Sequence, residues 1–382
     1  MAEKYNGWEV IRPLGKGGQG TVYLVRNPKR GEQLLGLQAR VKQTLSRINL
    51  GVAVKDDDPL TLAKDLVALG GPDPSHELAA LKLFDLPTED EEQQKRAVGR
   101  LEAEVTALEK LKHPAILKLL ATDPFKRYIV VEYHPGGTLN KHLSSYRGDV
   151  LRSLVAFRPL VEAVAAIHEQ GAVHRDIKTE NIFVAADGRL VLGDFGIVIF
   201  TKGDNGYRFT TTYEKVGTSY WMAPWAYKPE RLAIEDVTPS LDIFPLAKIL
   251  WSMISGRDGF PFWEIDRDEN KLEKLFPLDP MMPQVSHVLT QCIVREEADC
   301  KSSARGLLES VAKLIESARS AGQKPDDGGT WRCRMCGRGH YVETKVAMHA
   351  SVIGRGDRVP FKLYACDSCG HAEMFEESVS RL

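Results

Sequence analysis

The sequence predicts an α+β chain whose strand-rich beginning gives way to a mainly helical middle, with a small β unit stapled by metal at the end. Three observations carry this. Trp8-Glu9-Val10-Ile11, Thr21-Val22-Tyr23-Leu24-Val25 and Tyr128-Ile129-Val130-Val131-Glu132-Tyr133 are short apolar, β-branched or aromatic runs of strand type. Leu101, Val105, Leu108 and Leu111 recur at helical spacing, and the stretch from Leu151 to Gln170, closed by Gly171, has the pattern of a long core helix. Near the C-terminus, Cys333 pairs with Cys336 and Cys366 with Cys369 in two Cys-x-x-Cys knuckles.

A chain of 382 residues is long enough for more than one domain. The boundaries fall at a large domain over 1–318, a linker over 319–329 and a small domain over 330–382, the linker being marked by Ala321-Gly322-Gln323-Lys324-Pro325-Asp326-Asp327-Gly328-Gly329. A formal net charge of -1 gives no bulk attraction to nucleic acid or acidic lipid. No apolar run reaches membrane-spanning length, and Met1-Ala2-Glu3-Lys4-Tyr5-Asn6 lacks a signal-peptide core, so no membrane role is expected and the expected location is the cytoplasm. Four of the six cysteines have metal spacing, as suits a reducing compartment, while Cys292 and Cys300 stand alone.

Taken in order, Gly15, Gly17 and Gly20 lie between two strand-like runs. A strand after the glycines, instead of a helix, argues against a dinucleotide fold and for a hairpin flap able to cover phosphates. Leu34, Leu37, Val41, Leu45 and Ile48 at helical spacing, then Pro59 to Leu69 with Asp58 as cap, predict a mostly helical insertion over 27–77 with a solvated, basic polar face. Two places offer an Ala-x-Lys strand end, Ala53-Val54-Lys55 within that stretch and Ala80-Leu81-Lys82 after it. The helix after each decides between them. No glutamate lies from Asp56 to Ser75, whereas Glu104 falls within the apolar stripe of the helix after Lys82. An inward carboxylate needs a cation, which selects the pair Lys82 and Glu104.

The densest chemistry lies in His174-Arg175-Asp176-Ile177-Lys178-Thr179-Glu180-Asn181 and Asp194-Phe195-Gly196. Ile182-Phe183-Val184 and Arg189-Leu190-Val191-Leu192, separated by Asp187-Gly188, predict a hairpin that brings Asn181 and Asp194 to one end of two paired strands. Phosphoryl transfer needs a carboxylate for a hydroxyl proton, a cation for the moving group and oxygen ligands for magnesium. Asp176, Lys178, Asn181 and Asp194 supply them. His168, in the preceding helix, is assigned to packing.

Residues 8 to 315 resemble protein kinases in these motifs. The resemblance implies a bilobal fold, with a β-rich N-lobe carrying the insertion and a mainly helical C-lobe, and serine/threonine protein kinase activity using ATP and Mg2+ or Mn2+. It implies Asp176 as base, Lys178 as transition-state cation, and Asn181 and Asp194 as metal ligands. ATP would be held by the loop of Gly15, Gly17 and Gly20, by Val22, Ala80 and Phe183, by Lys82 with Glu104, and by backbone groups of Glu132 and His134. Lys178, two residues beyond Asp176, favours serine and threonine acceptors. Thr218 would help form the acceptor floor, and Asp242 would brace the catalytic loop. Arg175 beside Asp176 calls for an anion, and Thr210, Thr211 and Thr212 lie in a stretch without acidic residues, so phosphorylation there is an expected switch. Two positions depart from the family: Trp225 stands where a glutamate is expected after Ala223-Pro224, and Lys301 where its arginine partner is expected. Changing both ends of a buried ion pair is nearly neutral where changing one is not. Glu230 is a candidate substitute carboxylate.

The tail resembles a zinc ribbon. Four inward thiolates form a closed tetrahedral site, structural in kind, in a unit too small for its own core. It would recruit a protein partner. Arg332, Arg334 and Arg338 permit nucleic acid instead, which Glu373, Glu376 and Glu377 oppose. The rival readings are a catalytically idle kinase fold acting as scaffold, a kinase regulating a nucleic-acid-binding ribbon, and a small-molecule phosphotransferase.

Overall fold

The computed structural model describes residues 4–17, 20–29, 39, 77–85, 91–201, 220–227, 237–301, 303–320, 341–351, 358–366 and 372–376. Of the predicted insertion, only residues 27–29, 39 and 77 are among them.

One compact unit holds the described residues of 1–141, 162–217 and 229–242. Its main sheet has six strands: β1 (Lys4–Tyr5), β2 (Trp8–Gly17), β3 (Gly20–Arg26), β4 (Leu78–Phe84), β5 (Leu119–Asp123) and β6 (Tyr128–Glu132), in the order β1-β2-β3-β4-β6-β5. The period of two separates its faces. Ala79 and Leu81 join Tyr5, Trp8, Val25, Tyr128 and Val130 in a buried cluster, closed by an edge-to-face contact of Tyr5 with Tyr128 at 5.0 Å. Ala80 and Lys82 therefore take the opposite face. Register puts Val22 opposite Lys82, and both Leu24 and Val131 opposite Ala80, so these side chains share that face. Gly20 is required by packing, since a Cβ there would come within 2.0 Å of the Leu83 carbonyl oxygen.

Helix α1 (Glu91–Lys110) buries Leu101, Ala107 and Leu108 along the stripe expected from their spacing, with Glu104 among them. The chain then passes through Ala172–Val173 (β7) to the hairpin of β8 (Ile182–Val184) and β9 (Leu190–Leu192), with Ile182 opposite Leu192. Ile199–Phe200 (β10) pairs antiparallel with β7.

The second unit holds the described residues of 142–161, 218–228 and 243–382 and is mainly helical. Helix α2 (Val150–Glu169) begins in this unit, and α3 (Ser240–Ser255) runs through it as its most apolar element, burying Phe244, Leu246, Ile249, Leu250 and Met253. The short α4 (Leu272–Leu275) follows, then α5 (Met282–Thr290) and α6 (Ala304–Ser320). A separate antiparallel sheet of three strands, in the order β11 (Tyr341–Ser351), β12 (Arg358–Cys366), β13 (Ala372–Glu376), occupies the C-terminal region. Strand and helix segments thus match the α+β reading. Among the described residues no helix is long and apolar enough to cross a membrane.

Candidate active site

The candidate site is built within the first unit from α1, β4 and the stretch around the β8–β9 hairpin. Lys82 Nζ donates to Glu104 Oε2 at 2.7 Å and to Asp194 Oδ1 at 3.1 Å. Glu104 is inward because position 104 lies on the apolar stripe of α1, and its side chain is 3% exposed. Burial alone would lower the Lys82 amine, but the charges of Asp194 and Glu104 overcome it and hold the amine above its ordinary value. Burial pushes the Glu104 carboxyl up to about 7, against the opposing pull of Lys82. Burial also disfavours the Asp194 carboxylate, yet the neighbouring Lys82 keeps it below its usual range.

The stretch from His174 to Asn181 is tied to Asp242. The Asp242 carboxylate, fully buried, accepts from the backbone N–H of His174 at 2.8 Å, from that of Arg175 at 2.7 Å and from His168 Nε2 at 2.9 Å. Those donors hold it ionised below the usual carboxylate range although burial pushes the other way. His168, assigned to packing from its sequence position, is thus a hydrogen-bond donor that orients Asp242. His174 is buried and its pKa is lowered by that burial. Its two ring nitrogens do different work. Nδ1 accepts from the Asp176 N–H at 3.2 Å, and Nε2 donates to the Gly193 carbonyl at 3.2 Å, which is the neutral Nε2–H tautomer. The ring links the segment bearing Asp176 to the segment entering Asp194.

Asp176 is itself oriented by two neighbours. Lys178 Nζ donates to its two carboxylate oxygens at 2.9 and 2.7 Å, and Asn181 Nδ2 donates to Oδ2 at 2.8 Å and to the main-chain carbonyl at 2.9 Å. Using the Asn181 amide nitrogen in this way directs the side-chain oxygen away from Asp176. The Gly193 N–H donates to the Asn181 carbonyl at 2.8 Å, so the hairpin ends bring Asn181 and Asp194 together. Both are oxygen donors, the type that magnesium prefers.

The remaining expected residues are placed as follows. Gly15 and Gly17 lie on β2, and a Cβ on either would meet nothing within 4 Å. Val22, Ala80 and Lys82 share a sheet face, as the register requires. His134 is buried, with its ring 6.1 Å from that of Phe183, and its carbonyl accepts from the Gly137 N–H at 3.0 Å. Glu132 closes β6, its N–H donating to the Lys118 carbonyl at 3.0 Å. Lys55, Thr210, Thr211, Thr212, Thr218, Glu230, Cys333, Cys336 and Cys369 lie outside the described residues. Cys366 ends β12.

The two departures have a shared outcome in the second unit. Trp225 is fully buried and packs edge-to-face on Phe244 at 5.6 Å. Lys301 Nζ turns to neutral acceptors, Gln291 Oε1 at 3.3 Å and Ser310 Oγ at 3.2 Å. Cys292 and Cys300 are buried thiols pushed up to about 12 by that burial, which makes them inert packing groups.

The family model described as the protein kinase domain matches residues 67–324. The glycine-bearing hairpin of β2 and β3 precedes that span and joins it through the β3–β4 register. Among curated proteins, the chain is 28% identical over 221 residues to a mitogen-activated protein kinase kinase kinase, bck1, of Aspergillus fumigatus, covering 56% of this chain and 13% of that protein. It is 28% identical over 240 residues to mitogen-activated protein kinase kinase kinase 5 of Arabidopsis thaliana, covering 61% and 32%. It is 26% identical over 299 residues to serine/threonine-protein kinase PAK 4 of Mus musculus, covering 73% and 46%. The chain spans less than half the length of each of these relatives.

Proposed function

The chain belongs to the protein kinase family, and from that premise we propose that it is an ATP- and magnesium-dependent serine/threonine protein kinase. The observation that carries the reading is the continuous set of contacts from Glu104 through Lys82 to Asp194, beside an Asp176 oriented by Lys178 and Asn181. An idle scaffold has no need of that whole set.

The residues present fit the nucleotide and the metal. Gly15 and Gly17 leave room above their backbone that no side chain of the described protein fills, as a flap over phosphates requires. Val22 and Ala80 offer an apolar face beside Lys82, which would neutralise phosphate oxygens. The oxygens of Asn181 and Asp194 would hold the magnesium, which when bound neutralises charge developing on the phosphates. Asp176 accepts the proton of the acceptor hydroxyl at its carboxylate, while Lys178 places a positive charge beside it. His174 and Asp242 are fully buried, and they fix the backbone on which Asp176 sits. The relatives named for serine/threonine kinase activity favour hydroxyl acceptors of that class.

The proposal extends to the C-terminal region. Cys333, Cys336, Cys366 and Cys369 would bind one structural zinc, and the three strands of the β11–β13 sheet are too few for an independent core. That ribbon would recruit a protein partner, and the whole chain would act in the cytoplasm.

The test is transfer from labelled ATP by wild type and by Asp176→Asn, with phosphosites mapped in each. Wild type should label serine and threonine, and Asp176→Asn should lose nearly all transfer. Equal labelling by the two proteins would remove Asp176 from the chemistry and the proposal with it.

A further inference from the structure

Helix α3 carries a lysine where an apolar residue would pack. Lys248 lies in the run from Ile243 to Ile254 and is fully buried. Its Nζ donates to the carbonyl oxygens of Tyr220 and Phe260. Three rings surround the same nitrogen, with centroids at 4.7 Å for Phe260, 5.3 Å for Phe244 and 5.6 Å for Trp221. Among the described residues no carboxylate lies within ion-pair distance of it; Asp258, in the turn after α3, acts from farther away. Carbonyls and ring faces are what a desolvated ammonium group accepts in place of water. An aliphatic side chain would fill this space at lower cost, so the lysine serves the two loops it joins.

Those loops meet closely. A Cβ on Gly259 would come within 3.2 Å of the Trp221 ring and 3.3 Å of the Tyr220 carbonyl oxygen. Tyr220 and Trp221 follow Thr218 by two and three residues and precede Ala223-Pro224. This is where the chain returns from the segment expected to bear the acceptor floor. Tyr220 keeps its side chain half exposed while its carbonyl is held from below. Among the described residues no ion pair fastens this return: Trp225 packs on Phe244, and Lys301 bonds Gln291 and Ser310.

We infer that Lys248 is a positioning residue for the protein acceptor: it fastens the backbone at Tyr220 to the loop at Phe260 and so sets the acceptor floor from inside the helical unit. The inference rests on the protein kinase reading and names how that same site is braced. Burial pulls the Lys248 amine down to about 7, with Asp258 opposing, so its charge and the strength of the clamp change near neutral pH.

The experiment uses the full chain, with the best acceptor peptide selected from a degenerate serine/threonine library. kcat and the KM values for peptide and for ATP are measured for wild type, Lys248→Met and Lys248→Arg. Lys248→Met should raise the peptide KM by about tenfold while the ATP KM stays within about twofold, and Lys248→Arg, which keeps charge and donors, should recover part of the loss. In wild type the peptide KM should rise as pH increases from about 6 to about 8.5, with the change centred near 7 and the ATP KM flat. An unchanged peptide KM in Lys248→Met, or a loss shared equally between peptide and ATP, would overturn the inference. Should Lys248→Met not fold, the wild-type profile decides, and a pH-independent peptide KM overturns it. Wild type that transfers phosphate neither to the library nor to itself would instead defeat the kinase reading, before any variant is compared.

Discussion

Replacing Lys82 by methionine separates the electrostatics of the candidate site from its packing. The side chain keeps its length but loses the cation that lies 2.7 Å from Glu104 and 3.1 Å from Asp194. In wild type, burial pushes Glu104 up to about 7 while Lys82 opposes the shift. Removing Lys82 removes the opposition, so Glu104 then stays protonated above pH 7 in the folded variant. In the unfolded chain the same carboxyl titrates near its ordinary value. A group whose folded pKa is raised stabilises the protein at low pH, and that stability is lost as pH rises towards the folded pKa. For wild type the Glu104 contribution is largely spent by about pH 7; in Lys82→Met the loss continues through pH 8. One pH unit of full difference is about 1.4 kcal/mol. Between about pH 7 and about pH 8 the variant should therefore lose about 1.4 kcal/mol, about 1 kcal/mol more than wild type, whose Glu104 is still half protonated at pH 7; both are read as urea unfolding free energies by tryptophan fluorescence. Phosphate transfer should fall by about 10²–10³ in kcat, the scale of losing one preorganised charge at a reacting group. Parallel pH dependences in the two proteins would show that Glu104 ionises regardless of Lys82, and the pair would not be the electrostatic unit described.

Three further outcomes are expected. Asp242→Asn removes a buried charge that accepts three hydrogen bonds, from His168, His174 and Arg175, and should cost about 3–5 kcal/mol of stability by urea unfolding; a cost below about 1 kcal/mol would show that the brace is not electrostatic. Purified protein should hold one zinc per chain by metal analysis, lost in Cys333→Ser or Cys366→Ser with the kinase domain still folded; metal-free native protein would refute the ribbon site. Changing Thr210, Thr211 and Thr212 together to alanine should slow the initial rate after ATP preincubation, because a phosphate there offers Arg175 a bidentate anion; a rate equal to wild type, with no phosphate between Asp204 and Glu214, would exclude the switch.

The main strands and helices of the kinase region were legible because burial imposes their periods. The stripe of Leu101 and Leu108 becomes the buried face of α1, and the strand-like run from Tyr128 becomes β6. The grouping of Asp176, Lys178, Asn181 and Asp194 was legible for a different reason: the elements that gather them are neighbours in sequence, joined by one short hairpin. Lys82 and Glu104 are distant in sequence, yet a carboxylate on an apolar stripe announces a missing cation. His168 gave no such signal, because its partner Asp242 lies 74 residues away and a histidine near a helix end has many ordinary uses. Lys248 was announced by a contrast that reading for motifs passes over, a single charge in the otherwise uncharged run from Ile243 to Ile254. At Trp225 and Lys301 the departure itself was visible, but what each residue would touch depended on Phe244, Gln291 and Ser310, which no local pattern connects to them.

Two residues without glycine's freedom, Arg175 at φ 69 and Asp194 at φ 59, adopt left-handed backbone within the candidate site. Each such residue costs on the order of 1–3 kcal/mol and persists only where its surroundings dictate it. Here the surroundings are specific. Asp242 accepts the Arg175 N–H, and His174 accepts the Asp176 N–H while donating to the Gly193 carbonyl just before Asp194. A charge-assisted hydrogen bond contributes about 1.5–3 kcal/mol, which is enough to offset the strain at one of these positions. The ring of His174, packed at 4.6 Å on Phe195, makes the two strained positions depend on one side chain. Relaxing one turn would disturb the other, so the orientation of Asp176 and that of Asp194 are set together. In the proposed reading, that coupling would hold the base and the metal ligand in their orientations before a nucleotide arrives.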